Sequence, residues 1–173
     1  MPDYPLLSTR LIGQTESALG ALLAPLLAEA EMTFLQWVVL SLTWAGGATG
    51  ADGATGAGIP RGQLIDRIAD ARKVDAADVS AAITELEDAA ALVTTAGQVT
   101  LTDLGRASHG RILARVEEVT DYVFDLPAED LAAAGRVMAT VSARANAVLA
   151  NTALANTALA GTGPADRKVP PRG

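Results

Sequence analysis

The stretch from Asp75 to Gly105, DAADVSAAITELEDAAALVTTAGQVTLTDLG, constrains the fold more than any other part of the chain. In its first half, apolar residues recur with the spacing of one buried helical stripe: Val79, Ile83, Leu86 and Ala90. The segment LVTTAGQVTL then alternates apolar and polar residues on both sides of Ala96–Gly97, which is the pattern of a short hairpin. A helix, a hairpin and a second helix are therefore predicted in that order.

Helices are also predicted before and after this stretch, because apolar residues there recur every three to four positions. Their starts are marked by local signals. Thr33 and Gln36 form a capping box ahead of an apolar run, Asp75 and Thr102 are N-caps, and Pro127 opens the last long helix. The predicted fold class is mainly α with one small β-hairpin.

The pattern predicts a single domain over residues 1–160. The segment 45–58 is nearly all Gly and Ala and predicts a flexible loop. A five-residue repeat, LANTA, ends just before residue 161, and its period places no single face of a helix toward a core. Residues 161–173, which come after the repeat, are predicted to be a disordered tail.

Composition excludes several classes of protein. The chain has no cysteine, so disulfides and thiolate metal sites are excluded, and its one histidine leaves little for zinc; we predict no metal and no cofactor. No signal peptide is recognised, and the most apolar stretches, Ala18–Leu27 and Phe34–Leu42, are too short to span a bilayer. A cytoplasmic location is predicted. The formal charge of −7 leaves DNA binding open, because a local patch decides it.

Four segments, taken in order, resemble the MarR family of winged-helix transcription regulators. They are PLLAEAEMTFLQWVVLSL, LIDRIADARKVDAADVSAAITELEDAAALV, VTLTDLGRA and FDLPAEDLAAAGRVMATV. The resemblance covers roughly residues 6–149. It implies a winged helix-turn-helix lobe over about 33–101 and a helical dimerisation body from 6–31 and 102–150. The first helix and the last two helices would hold a homodimer, the lobes would bind double-stranded DNA, and a pocket between body and lobe would bind a small aromatic or apolar effector.

The DNA-binding candidates that this resemblance implies lie on the short helix, the recognition helix and the wing: Arg61, Gln63, Arg67, Arg72, Lys73, Ser80, Thr84 and Thr95. The chain departs from the family pattern here, because its wing, about Thr94–Gln98, has no charge and its recognition helix carries acids but no Lys or Arg. DNA binders usually make about 6–10 phosphate contacts through basic side chains. Weak and salt-sensitive DNA contacts are therefore predicted.

The effector-pocket candidates are Trp37, Trp44, His109, Arg111 and Tyr122, placed by helix position in the family. Trp37 and His109 each have a simpler interpretation, since a tryptophan on an apolar helix is usually a core anchor and a lone histidine in an apolar stripe is usually a packing residue. If His109 faces a pocket, it is the one acid–base group of the chain that titrates near neutral pH.

Two functions stay open. The first is a ligand-responsive DNA-binding regulator. The second is a repurposed fold that no longer binds DNA and binds or transforms a small apolar molecule, with His109 as the candidate catalytic group. An enzyme is the less supported reading, because no Ser/His/Asp set, phosphate loop or dinucleotide fingerprint is present. A third option, an acidic helix that docks a basic protein, has no further support.

Overall fold

The computed structural model describes residues 6–48 and 58–161. The sequence-predicted order of helices around one hairpin is confirmed: α1 Thr9–Glu29, α2 Phe34–Ala48, β1 Ile59–Pro60, α3 Arg61–Arg72, α4 Ala76–Asp88, β2 Leu92–Thr95, β3 Gln98–Leu101, α5 Asp103–Val123 and α6 Ala128–Gly161. The fold is mainly helical with one small antiparallel sheet.

The prediction of a loop over residues 45–58 is wrong for its first residues, because α2 continues to Ala48. Positions 49–57 lie outside the described residues. The predicted tail lies outside them too, except Gly161 at the end of α6.

The three predicted caps are formed as the sequence indicates. The Thr33 amide donates to Gln36 Oε1 at 2.8 Å, and the Gln36 amide donates back to Thr33 Oγ1 at 3.2 Å, which completes the capping box of α2. Asp75 accepts from the amide of Ala77 at 2.8 Å, and Thr102 accepts from the amide of Gly105 at 3.0 Å. Each cap satisfies a helix-start amide that the helix itself leaves without a partner.

The sheet has the strand order β1-β3-β2, with both pairs antiparallel. Ala96 and Gly97 form the hairpin turn with φ values of 52° and 77°, the left-handed conformation that a two-residue turn requires. The strand β1 was not predicted. It has two residues, Ile59 opposite Val99 and Pro60 opposite Gln98, too few for an alternating pattern to be visible.

The core lies between α2, α3, α4 and the sheet. Its largest fully buried side chains come from all of these elements: Leu40, Leu64, Ile68, Ile83, Val39, Val79 and Val99. The predicted stripe of α4 is confirmed at three of its four positions, but Ala90 is exposed. The helix ends at Asp88, and Ala90 adopts φ 54° in the turn that leads into β2.

The chain divides into two compact units, residues 1–123 and 124–173. In the first unit, α1 packs against α5 and α2 through part of its surface, while Leu19 and Leu22 stay exposed. Among the described helices, α1 is the one long and apolar enough to cross a membrane, by length and composition only. The sequence argument that the apolar runs are too short is therefore corrected for α1, since the folded helix has 21 residues.

Candidate ligand site and DNA-binding face

A histidine between two tryptophans is the most distinctive feature of the first unit. Trp37 and Trp44 lie on α2, and His109 comes from α5. The His109 ring stacks on Trp37 with centroids 4.9 Å apart and planes 16° apart, and on Trp44 at 5.3 Å and 26°. His109 is only 3% exposed, whereas Trp44 is 43% exposed. One edge of this aromatic cluster is therefore open to solvent at Trp44.

Two buried polar atoms at the α2 and α5 helices lack a hydrogen-bond partner among the described residues. They are Ser41 Oγ and His109 Nδ1. Ser41 lies on the same face of α2 as Trp37 and Trp44, four residues after the first and three before the second. A buried polar group without a partner costs free energy, so such groups are often positions that a ligand satisfies. Sequence reasoning missed Ser41, although its spacing from Trp37 could have indicated it.

Burial lowers the pKa of His109 below its usual 6.5. The cause is desolvation, which penalises the charged imidazolium. The ring is therefore neutral at neutral pH, with one nitrogen that donates and one that accepts. A neutral imidazole can bind a phenol, an amide or a carboxylic acid through one hydrogen bond.

The other two effector-pocket candidates lie apart from the tryptophan–histidine stack. Arg111 lines a separate cavity of about 540 Å³ between the C-terminal part of α1, the turn after it and α5. Arg115, which sequence reasoning also missed, lines the same cavity one turn further along α5. Tyr122 is 86% exposed near the end of α5. Within the described ranges, no group of three or more His, Asp or Glu side chains could hold a metal ion.

On the helix-turn-helix, three DNA-binding candidates form one hydrogen-bonded group. Arg61 Nη1 donates to Ser80 Oγ at 3.1 Å, and its Nη2 donates to the Ser80 carbonyl at 3.2 Å and to Thr84 Oγ1 at 3.3 Å. The face of α4 opposite its buried stripe is exposed at Ala77, Ala81, Thr84 and Asp88. The guanidinium of Arg61 thus lies at the edge of a helix face that has no cation of its own.

The remaining basic candidates are held in different ways. Lys73 pairs with Asp70 at 2.7 Å, and the guanidinium carbon of Arg72 lies 4.7 Å from the centroid of the Phe34 ring. Arg67 is exposed and makes no hydrogen bond or ion pair with any described residue. Gln63 and Thr95 are also exposed. Few basic side chains on the candidate DNA-binding face are therefore free of partners within the described part of the chain.

Some of the acidic side chains on α4 accept hydrogen bonds from other elements of the lobe. Glu85 Oε2 accepts from Gln36 Nε2 at 2.9 Å, which joins α4 to the first turn of α2. Glu87 accepts a hydrogen bond from Thr94 in the hairpin. Asp78 and Asp88 remain exposed. The hydrogen bond of Gln36 makes α2 a physical link between α4 and the aromatic cluster.

Comparison with solved structures identifies the class of this fold. NadR in complex with 4-hydroxyphenylacetate is similar over 82% of this chain and 99% of its own, with 21% identity and a TM-score of 0.62. The MarR family protein Rv2887 of Mycobacterium tuberculosis in complex with DNA is similar over 80% and 98%, with 24% identity and a TM-score of 0.51. CouR of Rhodococcus jostii RHA1 bound to p-coumaroyl-CoA is similar over 76% and 88%, with 16% identity and a TM-score of 0.60.

The chain therefore has the fold of the MarR family regulators, as the sequence resemblance predicted. No protein-family model matches the chain, and no curated protein matches it by sequence. At identities below 25% these similarities establish the fold, and the function has to be argued from the site.

Proposed function

We propose that the protein is a ligand-responsive, DNA-binding transcriptional regulator that acts in the cytoplasm as a homodimer. One observation carries this proposal: two neighbouring residues of α2 reach two different sites. Trp37 stacks on His109 of α5, and Gln36 donates to Glu85 on α4. A ligand that displaces α2 from α5 therefore changes the position of the helix that faces DNA. Proteins of this fold have been solved with DNA and with small aromatic molecules.

The ligand expected at the aromatic cluster is flat and carries one polar group. Trp37, Trp44 and His109 provide ring faces, and the polar group pairs with His109 Nδ1 or Ser41 Oγ. Such a site is mostly apolar with few directed polar atoms, which is the usual form of a small-molecule site. Because both faces of His109 are covered, entry requires one tryptophan to move. Trp44 is the one that is partly exposed.

The DNA contacts are proposed at α3 and α4. Arg61, Gln63, Arg67, Ser80 and Thr84 lie there, and Thr95 adds a hydroxyl from the hairpin. Binding is expected to be weak and steeply dependent on salt, because few cations are free and the acids Asp78 and Asp88 oppose phosphate. A homodimer doubles the number of DNA contacts, so the few cations of each lobe add up over two lobes.

Titration with salicylate or 4-hydroxyphenylacetate as probes tests the ligand half of the proposal. Binding at the cluster should quench tryptophan fluorescence, and Trp44→Phe should remove most of the signal. His109→Ala should weaken binding by about 10-fold, the effect of one lost hydrogen bond of roughly 1.4 kcal/mol. Tyr122→Phe serves as the control because Tyr122 is fully outside the cluster. Equal binding by wild type and His109→Ala would show that His109 only packs.

The second candidate function is a repurposed fold that binds or transforms a small molecule without binding DNA. The observation that favours it is the charge of the lobe: α4 exposes acids, the hairpin is neutral, and Lys73 and Arg106 are paired with Asp70 and Asp103. His109 is then the candidate acid–base residue. Gel-shift or anisotropy measurements with random duplex DNA at about 50 mM salt separate the two functions, because non-specific binding becomes stronger as the salt concentration falls. No binding under these conditions rejects the regulator.

A further inference from the structure

The recognition helix of this lobe lacks the side chains that usually read bases. Its exposed face offers alanines, one threonine and acids, and neither α4 nor the hairpin contains Lys, Arg or His. Direct readout in the major groove depends most often on an arginine that binds guanine O6 and N7 together. An arginine that reads guanine in this lobe therefore has to come from outside α4 and reach its exposed face.

Arg61 is the side chain that does so. It is the first residue of α3, and its guanidinium lies against Ser80 and Thr84 on α4 through the three hydrogen bonds described above. Ser80 lies in the N-terminal half of α4, the part of a recognition helix that contacts base edges. Among the described residues, no carboxylate forms an ion pair with Arg61, in contrast to Lys73 and Arg106.

The backbone of Arg61 is also fixed. Its amide donates to the carbonyl of Gly97 in the hairpin turn at 2.9 Å, which ties the start of α3 to the tip of the wing. The residue therefore joins the wing, α3 and α4. The bonds to α4 use three of the five N–H donors of the guanidinium, so two donors are left for a base while the side chain stays held by Ser80 and Thr84. A pre-positioned side chain loses little conformational entropy on binding.

We propose that Arg61 is the base-reading residue of this protein, that it recognises guanine in the major groove, and that Ser80 and Thr84 position it. This inference rests on the proposed DNA-binding function and refines it. The Arg61 guanidinium takes the place that a basic residue of the recognition helix would otherwise occupy. One guanine in each half-site of a symmetric target is the expected signature.

Selection of bound sequences from a random duplex library tests the inference, with anisotropy titrations of the selected sequence afterwards. Wild type should enrich a guanine at one position of each half-site. Arg61→Lys keeps the charge but loses the two-pronged geometry, so it should keep the salt dependence and lose about 10-fold of the preference for guanine at that position. Ser80→Ala should reduce the same preference less strongly, because it removes one of the positioning bonds.

Arg67→Ala is the matched control, since Arg67 lies on the same helix, is exposed and makes no hydrogen bond to a described residue of α4. It should weaken binding to all sequences alike and flatten the salt dependence by about one unit. Thermal unfolding of Arg61→Lys checks that the lobe is intact. If a folded Arg61→Lys variant prefers guanine as strongly as wild type does, the inference is wrong while the DNA-binding proposal stands. If wild type enriches no sequence and binds no DNA at low salt, both are wrong.

Discussion

Gly105 at the start of α5 lies directly against the carbonyl group of Ala91. A Cβ atom added to Gly105 would be 2.0 Å from the Ala91 oxygen and 2.9 Å from its carbonyl carbon. Both contacts are with backbone, which cannot move aside as a flexible side chain would. The same junction is held by Thr102, whose Oγ1 donates to the Ala90 carbonyl at 2.6 Å and whose amide donates to the Ala91 carbonyl at 3.1 Å. The start of α5 is thus fixed on the turn that follows α4.

We therefore expect Gly105→Ala to destabilise the first unit by about 3 kcal/mol, at the upper end of the usual cost of overpacking. Gly110→Ala is the control in the same helix, because nothing lies within 4 Å of its added Cβ. That change should stabilise the protein by about 0.5–1 kcal/mol through helix propensity. Urea unfolding followed by circular dichroism measures both. Equal free energies of unfolding for the two variants would contradict the close approach.

Most of the fold could be predicted from the sequence because its signals are local. At Thr33, Asp75 and Thr102 the capping side chain accepts from a backbone amide two or three residues further along the chain. The hairpin at Ala96–Gly97 depends on a short alternating pattern. The strand β1 could not be predicted, because its two residues become a strand only through pairing with β3.

The candidate sites were only partly predictable. The pattern of α2 indicated that Trp37 and Trp44 share a face, but their position on both sides of the His109 ring depends on how α2 packs against α5. Arg61, Ser80 and Thr84 were likewise predicted as separate candidates. Their contact spans 19 and 23 positions, so it depends on tertiary structure.

His109 should make the stability of the protein dependent on pH. Its pKa is lowered in the folded state by burial, while in the unfolded chain it returns to about 6.5. Between these two values the unfolded chain binds a proton that the folded chain does not. The free energy of unfolding should therefore be fully retained above about pH 6.5 and fall as the pH drops toward the lowered pKa, by at most about 1.4 kcal/mol per pH unit.

The variant His109→Phe keeps an aromatic ring between the tryptophans and removes the titrating group. Subtracting its unfolding free energy from that of wild type at each pH cancels the contribution of the carboxylates. The difference should be constant above about pH 6.5 and decrease below it. A difference that does not change between pH 7 and 5 would show that His109 titrates alike in both states.

Gln36 should couple the ligand site to the DNA-binding face. Gln36→Glu keeps the acceptor that caps the Thr33 amide but loses the Nε2 donor, and it places a second carboxylate beside Glu85. The variant should still show ligand quenching of tryptophan fluorescence, while ligand should release DNA less effectively. Glu85→Gln is the control, because it keeps an acceptor for Gln36. Equal release by wild type and Gln36→Glu would reject α2 as the link.

Asp70 should weaken DNA binding by holding Lys73. The two side chains form an exposed ion pair, 2.7 Å long, which contributes little to stability. Asp70→Asn frees the ammonium group and removes a negative charge from α3. DNA affinity at low salt should rise by about 2- to 5-fold, and the salt dependence should steepen by about one unit. Glu118→Gln, which frees Arg115 on α5, is the control and should leave DNA affinity unchanged. A decrease in affinity for Asp70→Asn would contradict the assigned face.

The proposed homodimer should depend on apolar side chains that a single chain leaves exposed. On α6 these include Val137, Met138 and Val141, which are 39–46% exposed, and on α1 they include Leu22. A glutamate introduced into an apolar interface loses hydration without gaining a partner, so Val141→Glu should shift the protein to monomer at micromolar concentration. Ser142→Glu is the control, because it adds the same charge at the next position of α6, where the native residue is already polar and exposed. Light scattering on size-exclusion chromatography measures the mass of each variant. A wild-type mass equal to that of one chain, 17.6 kDa, would reject the dimer.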